Sequence, residues 1–250
     1  MFGWFRPTCP VDQPTKTWIE QRLQWLTEEF GPKRLVDGEV ILPTPEYFPD
    51  PYDGSIKGAK KLLRRVCRYM DIEPDWIQTK FYVDQRPTVG NDGLHQGSAG
   101  MYTNRVIWIE ESNLADPLAL VGTMAHELGH LHLLGDGHIS DQAEDHEPRT
   151  DLFTVFMGLG IFTANSVLRE RYWHDGNYSG WNMARLGYLT MDMYGYAFAL
   201  VAWHRGEEKP VWAQHLRGDV YAAYKKGYHY LTKTGDSLFK PPEIPRMGDK

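Results

Sequence analysis

Two histidines one helical turn apart can bind a single metal ion, and His126-Glu127-Leu128-Gly129-His130 supplies such a pair. At about 100° per residue, the two imidazoles project only ~40° apart. Glu127 lies ~100° round from His126 and ~60° from His130, near the metal but not aimed as a third ligand from the same helix. That placement suits a base acting on a metal-activated water, the chemistry of an H-E-x-x-H zinc hydrolase.

A catalytic zinc takes three protein ligands and leaves one position open. Glu147 and Asp151 form the pattern E-x-x-x-D, one turn apart at the start of a helix that Pro148 is expected to open. In this reading Glu147 coordinates, and Asp151 accepts the N–H of a ligating histidine and fixes its tautomer. Asp151 itself and His138 are alternative third ligands. The plain alternative is that both acids merely complement a helix N-terminus. The spacing H-E-x-x-H-x-x-G-x-x-H is excluded, because Leu133 and Asp136 stand where glycine and histidine are required. His132 points away from the His126/His130 face. Asp141, Glu144 and Asp145 lack the EF-hand spacing and read as a solvated acidic loop.

His126-Glu127-x-x-His130 followed by Glu147-x-x-x-Asp151 resembles the gluzincin metallopeptidases, the thermolysin-like zincins. The resemblance covers about 36 residues, Asp116 to Asp151, and the step from His130 to Glu147 is a little shorter than in thermolysin. It implies one zinc ion on His126, His130 and Glu147, Glu127 as general base, and a peptide or protein substrate. An oxyanion donor is expected beyond the third ligand, from His174, Tyr178, Tyr188 or Tyr194. A zinc amidohydrolase of small substrates is one alternative. A binding or regulatory protein with a vestigial site is another, and the intact Glu127 argues against it, because zinc binding alone does not need that residue.

The elements that must position these groups are legible from periodicity and caps. Asp116 is a good N-cap, Pro117 fits the first helical position, and Gly135 supplies the stop. Leu118, Val121, Met124, Ala125, Leu128 and Leu131 make the expected apolar face. Upstream, residues 1–16 read as an irregular arm and Trp18 to Phe30 as an amphipathic helix stopped by Gly31-Pro32. A short strand is expected around Val40-Ile41-Leu42, a loop over 43–51, and a helix over Ser55 to Met70 with a basic face. Strands are expected over Thr79 to Asp84 and Met101 to Glu111, the latter being an edge on which a peptide can pair. The glycine-rich loop Gly90 to Gly100 between them holds His95, a candidate for substrate contact. Downstream, Pro148 is expected to open one long helix through Leu168, and Ser179 to cap another from about Gly180 to Arg205, interrupted by Gly187 and Gly195. Further helical stretches are expected from Pro210 and over Asp219 to Leu231.

This order predicts an α+β fold: a small mixed β-sheet with a zincin-type active-site helix, then a mainly helical C-terminal half. One catalytic domain spans 1–250. It has an α/β part over about 17–115, metal-site helices over 116–168 and a helical part over about 180–231. At 250 residues with 42% hydrophobic and 24% charged residues, a sizeable core is expected. The net charge of −6 argues against a nucleic-acid partner. The two cysteines, Cys9 and Cys67, and the lack of a continuous apolar run at the N-terminus favour a reducing, cytoplasmic setting. The apolar run Leu152 to Leu168 is too short and too polar for stable membrane insertion.

Overall fold

The computed structural model describes residues 6–83, 105–166 and 189–240, and helices dominate them. Helix α1 (Gln13–Phe30) starts five residues before Trp18, inside the stretch expected to be irregular. Asp12 accepts the Thr15 N–H at 2.9 Å, and Pro14 fits the first turn, so start signals alone extend the helix beyond its apolar periodicity. Gly31 ends it at φ +92°, and Pro32 then opens the short α2 (Pro32–Asp37). Val40 to Leu42 form no strand. The Ile41 N–H instead donates to the Gly158 carbonyl at 2.9 Å. Helix α3 (Ile56–Tyr69) lies where a helix was expected, with Ser55 as its N-cap, and its basic face meets acids, Arg64 on Asp75 and Arg65 on Asp50.

Among the described residues the sheet is two parallel strands, β1 (Gln78–Tyr82) and β2 (Val106–Glu110), and not the mixed sheet expected. Lys80 faces Trp108 across the pair, its ammonium 4.8 Å from the ring centroid. One 3₁₀ turn, Glu111–Ala115, leads from β2 into the motif helix α4 (Pro117–His130).

The long helix expected from Pro148 to Leu168 is broken. Helix α5 (His146–Phe156) begins two residues before Pro148, so Glu147 lies in the first turn and is not the N-cap. It ends at Phe156, a turn passes through Met157 and Gly158, and residues 160–166 are helical again. Gly158 has φ +85°, and a Cβ there would sit 2.1 Å from the Glu39 carbonyl oxygen. The chain turns where only glycine fits. Helix α6 (Met191–Arg205) is capped by Thr190 and runs through Gly195 without the interruption expected there; Gly187 and Ser179 lie outside the described residues. A 3₁₀ turn, Val211–His215, and helix α7 (Gly218–Thr234) complete the described chain.

Helix α6 is enclosed almost all round, with every residue from Tyr194 to Ala202 buried, and it packs against α1, α5 and α7. It also receives a buried charged group from α1. Lys16 and Glu20 are 1% and 0% exposed, paired at 3.2 Å. The Tyr196 hydroxyl and the Leu238 N–H donate to the two Glu20 oxygens at 2.6 and 2.8 Å. Such a pair holds only because its remaining valences are satisfied. One continuous core joins α1, α3, α4, α5, α6 and β2. Both cysteines are free, and no helix of the described residues is long and apolar enough to cross a membrane.

The α6–α7 contact depends on small residues. A Cβ on Gly195 would lie 2.4 Å from Ala223 Cβ and 2.7 Å from the Tyr224 nitrogen. Gly195→Val is therefore expected to destabilise the protein by at least about 1–3 kcal/mol. Urea unfolding monitored by circular dichroism measures this; an unchanged midpoint would contradict the contact.

Candidate metal centre

The motif helix forms as its caps dictate. Asp116 accepts the N–H groups of Leu118 and Ala119 at 3.1 and 3.2 Å, with Pro117 in the first turn. Leu120, Val121, Met124, Ala125, Leu128 and Leu131 are buried, whereas Leu118, counted above on the apolar face, is 50% exposed. After His130 the helix widens into one π-type turn, Leu131–Gly135, closed by the Asp136 N–H on the Leu131 carbonyl.

Helix α5 lies against α4 and brings Glu147 to both histidines. The Nε2 atoms of His126 and His130 are 2.9 Å apart, and Glu147 Oε2 lies 3.0 Å from the first and 3.2 Å from the second. Behind His126, Asp151 Oδ1 is 2.9 Å from Nδ1, and its other oxygen accepts the Leu189 N–H at 3.0 Å. Behind His130, the Thr150 hydroxyl is 3.1 Å from Nδ1 and 2.8 Å from the His146 carbonyl. Glu127 takes part in none of these bonds and lies half-buried on the same turn.

A tetrahedral ion about 2.0–2.1 Å from each donor would hold the donors roughly 3.3 Å apart. The observed triangle needs to open by only a few tenths of an ångström. Two imidazole nitrogens and one carboxylate oxygen are also a donor set suited to zinc. Burial works against a charged His126, but the carboxylates of Asp151 and Glu147 outweigh it and hold the imidazole protonated well above its ordinary 6.5. Burial likewise works against the Glu147 carboxylate, and the hydrogen bond and charge of His126 outweigh that, holding it well below 4.5. In the metal-free protein the triangle thus keeps a proton where a cation fits.

The structure separates the expected site residues. His126, His130 and Glu147 converge, and Asp151 stands behind His126, out of the triangle. His138 is elsewhere, 2.6 Å from Glu29 and packed on Phe30. His132 turns to the Met70 carbonyl at 2.7 Å. Asp145 is not a free loop acid. Burial opposes its charge, but Arg149, Arg22 and the Trp18 indole N–H bind it and hold its carboxyl at about 2. These bonds tie the residue just before α5 to α1. Tyr194 is fully buried in α6. His95, His174, Tyr178 and Tyr188 lie outside the described residues. Thr150 is the residue that sequence reasoning passed over; its only signal was its place three residues after Glu147.

No family model, curated protein or solved structure matches the chain.

The two shifted groups act on the stability of the metal-free protein in opposite pH ranges. Glu147, held below its ordinary value, contributes stability that is present above about pH 4.5 and lost as the pH falls. His126, held above its ordinary value, contributes stability that is complete below about pH 6.5 and lost as the pH rises through the raised value. Calorimetry of chelator-treated protein is therefore expected to show a Tm difference between wild type and Glu147→Gln that is greatest between those limits. A difference independent of pH would contradict the pairing.

Proposed function

We propose that this protein is a zinc-dependent hydrolase of amide bonds, with peptides as the first substrate class. The observation that carries the reading is the triangle of His126, His130 and Glu147 donor atoms within 3.2 Å of one another, with Asp151 behind it. Together with Glu127 on the same turn, it fits the gluzincin pattern of the sequence. A zinc ion bound there would supply Lewis acidity toward a water molecule and the scissile carbonyl.

The protein's own groups divide the remaining work. Glu127 accepts the proton of the attacking water on its carboxylate and returns it to the departing amine nitrogen. Asp151 holds the His126 ring by Nδ1 and so keeps Nε2 turned toward Glu147. Asp145, through Arg22 and Arg149, anchors the first turn of α5 and with it Glu147. The free cysteines accord with a reducing compartment, and we infer the cytoplasm.

Digestion of a peptide library by zinc-loaded protein, with and without chelator, tests the reading. Cleavage is expected only without chelator. Glu127→Gln is expected to retain zinc and lose at least about 10²-fold in rate. Full activity in that variant, or no cleavage by zinc-loaded wild type, would overturn the peptidase assignment.

A further inference from the structure

We propose that Thr150 is a positioning residue of this centre: its hydroxyl fixes His130 in the tautomer whose Nε2 lone pair faces His126 and Glu147. The inference rests on the reading of those three residues as metal ligands.

A threonine hydroxyl carries one proton. Thr150 donates it to the His146 carbonyl one turn back, at 2.8 Å, a bond that helical threonines commonly make. With that proton committed, the contact of 3.1 Å to His130 Nδ1 can be made only by the ring's own N–H. A neutral imidazole with hydrogen on Nδ1 has a bare lone pair on Nε2. Nε2 is the atom that faces His126 Nε2 at 2.9 Å and Glu147 Oε2 at 3.2 Å.

The same logic serves the other histidine through the next residue. Asp151, as an acceptor-only carboxylate, takes the Nδ1–H of His126. Glu147, Thr150 and Asp151 occupy i, i+3 and i+4 of α5, and so share one face. One helix face thus supplies the third ligand and orients the two histidines of the other helix.

Both partners of this contact are enclosed. It is 0% exposed and His130 2%. The residue fits because position 129 is glycine, where a Cβ would lie 2.9 Å from Thr150 Cγ2. The methyl group of Thr150 therefore fills the space over Gly129, while the hydroxyl serves His130.

Thr150→Val keeps the methyl contact and removes the hydroxyl; Thr150→Ser does the reverse. Zinc affinity, measured by competition with a chromogenic chelator, is expected to fall about 10–100-fold in Thr150→Val and to stay near wild type in Thr150→Ser. Thermal unfolding of both metal-free variants checks that they fold. In metal-free wild type, ¹⁵N shifts of labelled histidine are expected to place the His130 proton on Nδ1. The proposal fails if folded Thr150→Val binds zinc as tightly as wild type, if folded Thr150→Ser is as weak as Thr150→Val, or if the His130 proton is on Nε2. Should wild type bind no zinc, the ligand reading falls, and the ¹⁵N shifts still decide the tautomer.

Discussion

The close approach of α5 and the helical residues 160–166 to α4 is the constraint from which the centre follows. Two glycines of α4, Gly122 and Gly129, are seven residues apart and so lie on one stripe of the helix. A Cβ on Gly122 would meet Ser166 Oγ at 2.8 Å and the Phe162 carbonyl oxygen at 3.0 Å; one on Gly129 would meet Thr150. Side chains on that stripe would push the second layer outward. Donor atoms now about 3 Å apart would then separate beyond the reach of one ion.

Within that contact, short polar bonds do the orienting and burial gives them strength. His130 and Asp151 are almost fully enclosed, and His126 is 13% exposed. Each ring is held at Nδ1 by a group on α5, so both Nε2 atoms turn inward. α5 itself is held from outside. Asp145 draws Arg22 and Trp18 of α1 to its start, and Arg149 spans back to Asp145 over the Trp25 ring, 5.2 Å from its centroid. The buried Lys16–Glu20 pair then ties α1 to α6 and to the chain beyond α7 through Tyr196 and Leu238. A line of specific bonds thus runs from the His126–His130–Glu147 triangle through α1 to the C-terminal helices.

Local signals were legible wherever a cap or a forbidden conformation acts through neighbouring residues. Asp116-Pro117 and Ser55 set the starts of α4 and α3 as their types require. Signals were misread where two local rules compete or where the partner is distant. Asp12 and Pro14 started α1 earlier than its apolar periodicity indicated. Val40 to Leu42 have strand composition, but their polar partner is a turn at Gly158, more than a hundred residues away. Gly158 broke an otherwise helical run because Glu39 lies where its side chain would be.

The sequence by itself determined the chemistry on offer. A 3.6-residue period places His126 and His130 on one face whatever surrounds them, and Glu147 and Asp151 one turn apart on the next helix. It could not decide between Glu147, Asp151 and His138, because that choice depends on how two helices approach each other. Tertiary packing put Glu147 in the triangle, Asp151 behind His126, and His138 against Glu29 and Phe30. It also gave Thr150 its place, since a hydroxyl acquires a role only when the ring it holds is packed against it.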